Sequence, residues 1–211
     1  MTLRVSAAPR RLGRPKDVAS AETHERLLSE ARRAFARDGL DAATNREIAE
    51  AAGITAGAIY HYYPSKLELY VAVYEQVQHL VYDAFGAAVT AQVTIVDQLC
   101  AVLDAAVALN RRDPSIAGFV VGVASEAERH PELVQRLANA HSVSTRFARR
   151  LVDDATERDE LAPDVSARAL EDLINAVLGG LARFSSQTGD AARHESAVGV
   201  LKRCMTGSLL R

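Results

Sequence analysis

A chain of 211 residues with 48% apolar side chains is long enough to bury a substantial core, in one domain or two. Its longest apolar stretch, Ile116 to Ala124, falls well short of the roughly 20 residues that cross a bilayer, and its arginine-bearing start lacks the apolar segment of a secretory leader. The net charge of −2 alone does not suggest a nucleic-acid partner, but residues 1–66 carry 11 Lys/Arg against 8 Asp/Glu, whereas the rest carries 14 against 19. A basic head on an acidic body suits a protein that presents one end to a polyanion.

Residues 1–20 read as a flexible basic arm: Arg4, Arg10, Arg11, Arg14 and Lys16 meet no acid before Asp17. Gly13-Arg14-Pro15-Lys16 is similar to the core of an AT-hook, in which arginine follows a narrow minor groove; a solvated leader fits equally well. Ser20 is placed to cap a first helix from about Ala21 to Asp38. Leu27, Leu28, Ala31, Ala34 and Phe35 form its inward stripe, and Gly39 supplies a left-handed stop.

Residues 44–63 hold the densest signal. Thr44 followed by Glu47 is a capping box, and Ile48, Ala49 and Ala52 then share one helical face. Gly53 allows a sharp corner, and a second short helix begins near Thr55. Two brief helices joined through a glycine turn predict a helix-turn-helix, whose second helix is shaped for a DNA major groove. Ile54 and Ile59 are expected to seat that helix, with Tyr63 as a further anchor, while Tyr60, His61 and Tyr62 offer hydrogen bonds outward. Pro64 stops it. Ser65-Lys66-Leu67-Glu68 then opens a fourth helix with a second capping box, and Lys66 in its first turn favours a phosphate.

The fourth helix, to about Val89, carries Leu67, Leu69, Tyr70, Val73, Val77, Leu80, Val81 and Phe85 and joins head to body. Beyond it every segment keeps helical period. Helices are expected over Ile95–Asn110, from Pro114 through a central apolar segment, from Pro131 to about Arg158 (Val134, Leu137, His141, Ala148, Leu151 and Val152 inward), and from Pro163. A Gly189-Asp190 break precedes the last. The fold class is therefore all-α, with about nine helices: an arm (1–20), a three-helix head (21–66) and a larger body (67–211).

The last two helices carry broad apolar stripes: Leu170, Leu173, Ile174, Val177, Leu178, Leu181 and Phe184, then Val198, Leu201, Met205 and Leu209. Gly179-Gly180 in mid-helix costs roughly 1 kcal/mol per glycine relative to alanine, a cost that makes sense where another helix approaches closely. A homodimer interface is expected on Leu170, Leu173, Ile174, Val177, Gly180, Leu181, Phe184, Val198, Leu201 and Met205, as a four-helix bundle across a two-fold axis. Closure of the monomer's own core is the competing reading.

Candidate walls of a small-molecule pocket are Phe85, Leu103, Val107, Phe119, Val123, Phe147 and Leu178, with Asn110, Glu126, His141, Arg146 and Asn175 as polar candidates. Scarce large aromatics favour an aliphatic or compact ligand. Cys100 and Cys204 are expected at inward positions as inert packing. No Ser-His-Asp order, zinc-type spacing, Walker loop or dinucleotide fingerprint is found, so no catalytic, metal or cofactor residues are assigned. The expected compartment is the reducing cytoplasm of a bacterium.

From Leu27 to Leu69 the chain resembles the N-terminal domain of the TetR family of transcriptional regulators. Phe35, Gly39, Thr44, Ile48-Ala49, Gly53, Ile54, Gly57, Ile59-Tyr60, Tyr63, Pro64, Lys66 and Leu69 carry the likeness, with Tyr63 where Phe is commoner. The resemblance implies an all-helical homodimer that binds a double-stranded operator and a small-molecule effector. Position by position, it implies phosphate contacts from Thr44, Tyr60, His61 and Lys66. Arg46, Thr55, Ala56, Gly57 and Tyr62 lie nearest base edges, beside Asn45. A ligand-independent architectural dimer, or a regulator governed by a protein partner, remains an alternative.

Overall fold

The computed structural model describes residues 16–209, apart from the side chains of 16–19 and 139–141. Among the described residues nine helices follow one another: α1 (Lys16–Ala42), α2 (Asn45–Ala51), α3 (Ala56–Tyr62), α4 (Lys66–Val89), α5 (Ile95–Arg112), α6 (Ser115–Arg129), α7 (Pro131–Glu157), α8 (Ala167–Thr188) and α9 (Ala191–Met205). No strand occurs among the described residues. No helix among them is long and apolar enough to cross a membrane. The basic arm falls largely on residues outside the description.

Local chemistry starts and stops these helices as expected at most ends. Thr44 accepts from the Glu47 backbone N–H while Glu47 reaches back to the Thr44 N–H, completing the capping box of α2. Thr55 caps α3 through the Ala58 N–H, and Ser65 caps α4 through the Glu68 N–H. The reciprocal half of the second box is replaced: the Glu68 carboxylate pairs with Arg136 of α7 instead. Thr94 and Asp190 cap α5 and α9.

The first helix departs from expectation at both ends. It is already helical at Lys16, the first described residue, upstream of Ser20, because Val18-Ala19-Ser20-Ala21 contains nothing that breaks a helix. Gly39 does take positive φ (77°), yet it makes a kink, and a further turn runs on to Ala42. The positive φ favours glycine there, and a β-carbon, 2.6 Å from Glu126 Oε1, would also displace that carboxylate oxygen from the Leu40 N–H. Gly53, at φ 67°, forms the helix-turn-helix corner.

One hydrophobic core runs through head and body. Leu27, Ala31 and Phe35 of α1 meet Ile48 and Ala49 of α2, Ile59 of α3, Leu69, Tyr70 and Val73 of α4, and Phe119 of α6. Phe35, Tyr70 and Phe119 form an aromatic triad with centroids 4.9–6.5 Å apart. Arg32, only 4% exposed, ties α1 to the α5–α6 junction through Asp113 Oδ2 (2.7 Å) and Ser115 Oγ (3.1 Å). Burial pushes the Asp113 carboxyl upward, but hydrogen bonds from Ser115 and Arg32 outweigh it and hold the group below the ordinary carboxylate range.

Two smaller cores complete the body and correct the expected interface. Ile174 packs with Ile95, Ala148, Val152 and Ala155, and Leu170 lies against that group. Val198 packs with Leu103 and Val107, with Leu181, Leu201 and Met205 alongside. Ile174 and Val198 are 4% and 2% exposed, so they belong to the monomer's interior and not to an interface. The stripes were wide because α8 packs against α6, α7 and α9, and α9 against α5 and α8, within the protomer. Leu173, at 58% exposed, stands outside, as do Ala176, Gly180 and Arg183. On α7 the fully buried residue is Leu133, whereas Val134 is 56% exposed. Cys204 is exposed, against the expectation of inward packing, and Cys100 is half-buried.

Candidate functional site

In the head, α2 and α3 are short helices held by apolar residues on one side only. Ile48, Ala49 and Ile59 are buried, while Thr44, Arg46, Thr55, Gly57, Tyr60 (57% exposed) and His61 face outward together. This face is the one a major groove would meet, with a fork-shaped guanidinium at Arg46 and small residues at the start of α3. Among the described residues Arg46 forms no ion pair with Glu50, so its donors are available.

Two expected contact residues are turned partly to structural work. Lys66 lies in the first turn of α4, but its ammonium donates to the carbonyls of Asp41 (2.8 Å) and Ala43 (2.9 Å), closing the end of α1. A phosphate at this position would have to share a group already two-thirds engaged. Tyr62 is half-buried, its ring 5.4 Å from that of His24 on α1. Tyr63 is the anchor expected of it: its hydroxyl lies 2.6 Å from His24 Nε2, and burial raises its hydroxyl above the ordinary tyrosine range. Asn45 Oδ1 is buried without a hydrogen-bond partner, and Ala56 packs against the core.

The body holds a partly open cavity of about 780 Å³, within the range of small-molecule sites. Tyr74, Gln78, Val81, Tyr82 and Phe85 of α4 form one wall. Ala106, Leu109 and Asn110 of α5, Val120 and Val123 of α6, Leu137, Ser144 and Thr145 of α7, Asn175, Leu178 and Ser185 of α8, and His194 of α9 form the others. The lining is chiefly apolar. Gln78 Oε1, Asn110 Oδ1 and His194 Nδ1 are nevertheless buried there without a hydrogen-bond partner. Burial alone lowers the His194 imidazole's affinity for a proton, and burial pushes the Tyr74 hydroxyl up to about 12. Arg168 and Asp172, the charged residues of the lining, pair with each other at 3.3 Å.

Of the expected pocket residues, Phe85, Val123, Asn175 and Leu178 line this cavity, as does Asn110. Leu103 and Val107 belong instead to the α5–α9 core, and Phe119 to the aromatic triad with α1. Phe147 packs at a tilt against Tyr82 and Phe85, with centroids 5.5 and 5.8 Å away, and does not line the cavity. Glu126 faces the head, accepting from the Leu40 N–H at 3.1 Å. Arg146 is exposed and bonds Ser142. The side chain of His141 lies outside the described residues. Sequence reading missed Gln78 and His194, since a polar residue facing a void has the same periodicity as one facing a core.

Residues 27–73 match the family model described as "Bacterial regulatory proteins, tetR family". The HTH-type transcriptional regulator UidR of Escherichia coli (strain K12) is 28% identical over 192 residues, covering 89% of this chain and 93% of that protein. Among solved structures, Salmonella enterica GusR is similar with a TM-score of 0.69 at 28% identity, covering 89% of this chain and 95% of that one. FadR from Bacillus halodurans superposes with a TM-score of 0.73 at 15% identity, covering 89% and 100%, a likeness of fold. A helix-turn-helix head built on the buried Ile48 and Ile59 thus matches the model of the tetR family of bacterial regulatory proteins, and along nearly its whole length the chain is similar to transcriptional regulators.

Proposed function

We propose that this protein is a tetR-family transcriptional regulator, a cytoplasmic repressor that binds a palindromic operator as a homodimer and releases it when a small molecule enters the body cavity. The head would comprise residues 21–66, with the helix-turn-helix at 44–63, and the body 67–211. Thr44, Tyr60 and His61 are assigned to phosphates, Arg46, Thr55 and Gly57 to base edges, with Lys66 and Tyr62 at the margin of the contact. The second copy docks on the outward face of α8, around Leu173, Ala176, Gly180 and Arg183, beside the exposed Val200 of α9.

The observation that carries the effector reading is the position of α4. Its middle walls the cavity with Tyr74, Gln78 and Phe85, and its N-terminus follows the recognition helix after three residues. Three unpartnered polar groups in an apolar chamber are what a bound molecule would satisfy. Among regulators sharing the fold, FadR of Bacillus subtilis has been solved in complex with stearoyl-CoA (TM-score 0.70, 15% identity). A ligand that moves α4 alters the separation of the two heads, so effector and DNA affinities are reciprocally coupled, by about 1–3 kcal/mol in typical systems. Thermal-shift screening of a metabolite collection, followed by titration of the protein's own promoter fragment, tests this. A compound that stabilises the protein should weaken promoter binding roughly 5–150-fold. Stabilisation through the cavity with unchanged DNA affinity would sink the effector reading and leave a ligand-independent dimer.

A further inference from the structure

The end of α1 meets the α6–α7 corner at a cluster that neither DNA contact nor the cavity uses. Asp41 follows the Gly39 kink, Glu126 sits in the last turn of α6, and His130 joins α6 to α7. One donor atom from each lies within 4.8 Å of the others. His130 Nε2 is 3.1 Å from Asp41 Oδ1 and 3.7 Å from Glu126 Oε2. Glu126 is 3% exposed, and its Oε2 is buried with no hydrogen-bond partner, as is His130 Nε2. The other Glu126 oxygen is already engaged by the Leu40 N–H and by Arg129.

These atoms impose a choice. His130 Nδ1 faces Glu132 Oε1 at 3.7 Å, which favours the ring proton on Nδ1 and directs the Nε2 lone pair at two carboxylates. Three acceptors converging on one point need a positive particle between them, either a proton or a metal ion. Arg129 does not fill that point: it approaches Glu126 through Oε1 and stays 3.9 Å from Asp41 Oδ2. Three carboxylates (Asp41, Glu126, Glu132) against the Arg129 guanidinium and the Lys66 ammonium, which bonds the Asp41 carbonyl from outside the cluster, still leave the corner net negative, which favours a cation. Metal bonds of about 2.0–2.2 Å place neighbouring ligand atoms roughly 3–3.6 Å apart, close to the spacings present. The exposed Asp41 supplies the remaining adjustment.

We propose that Asp41, Glu126 and His130 form a binding site for a divalent first-row transition-metal ion, with water completing the coordination and Glu132 orienting the imidazole. The ligands come from α1, α6 and the α6–α7 junction, so a bound ion pins the end of the head's first helix to the body. Glu126 and His130 are one helical turn apart, but no spacing rule could complete the site, because Asp41 is distant in sequence.

The test uses the full chain without an affinity tag and Co²⁺ as a spectroscopic probe. Wild type should develop a ligand-field absorption that Zn²⁺ displaces, and Zn²⁺ should raise the melting temperature progressively with concentration. Asp41→Asn, at an exposed position that keeps the fold, and His130→Gln should both lose the absorption. Glu132→Gln should weaken Zn²⁺ binding about 10–100-fold, as expected for a partner that orients a ligand. A double Cys100→Ser, Cys204→Ser variant should retain the signal. Absorption that survives Asp41→Asn and His130→Gln, or that vanishes with the cysteines, overturns the proposal. So does a protein that takes up no Co²⁺ while its stability responds to pH through His130, which would assign the position to a proton.

Discussion

The head's outward face and the body's cavity are built in opposite ways. The face of α2 and α3 comes from about twenty consecutive residues, each placed by a local rule: the Thr44 cap, the Gly53 corner, the Thr55 cap. The cavity draws its lining from six helices, and no run of sequence contains it. A surface that must fit one repeating polymer can be written locally. A chamber fitted to a single small molecule has to be assembled by the packing of the whole body.

The contrast predicts that the two regions fail separately. The largest expected effect falls on the head. A dimer making roughly 6–10 phosphate contacts should lose ~10³–10⁵ in DNA affinity between about 50 and 200 mM salt, while any cavity ligand that is uncharged should bind unchanged. A flat salt response in promoter titrations would remove the proposed contact set. Next comes the link between the regions. Arg32→Met removes the nearer guanidinium from the partly buried Asp113, leaving it Ser115 and the more distant Arg33, and should cost about 1.5–3 kcal/mol in denaturant unfolding, disturbing both halves at once. The wild-type contribution of Asp113 should be present above the ordinary carboxylate range and lost as pH falls through its depressed value.

Smaller effects sharpen the distinction within the head. Arg46→Ala should cost about 1–3 kcal/mol against the best operator and relax preference at one base pair in each half-site, measured by competition with single-base variants. An equal loss against every sequence would reassign Arg46 to a phosphate. Thr44→Ala removes a helix cap and should destabilise the head by about 1 kcal/mol with no change in ligand affinity.

Legibility followed the same division. The all-helical class, the helix order and the buried Ile48 and Ile59 could be read because each depends on neighbours within a turn or two. Lys66 could be placed in its helix, but not its rotation onto the carbonyls of Asp41 and Ala43, which depends on where a kinked helix ends. Phe119 and Phe85 are alike in sequence, yet one fills a core against α1 and the other faces a void. The stripes of α8 and α9 showed which faces are covered and left open by whom. Ile174 and Val198 are covered by their own chain.

Helix α1 has two apolar sides in use. One seats α2 and α3, and the other lies on α6, where Phe35 meets Phe119 and Ala36 sits close to Gly118. The DNA-reading portion is therefore not a transplantable cassette. Severed after residue 66, it would bare an oily flank and orphan the Arg32 guanidinium, so grafting this specificity onto another scaffold means carrying α6 along with it.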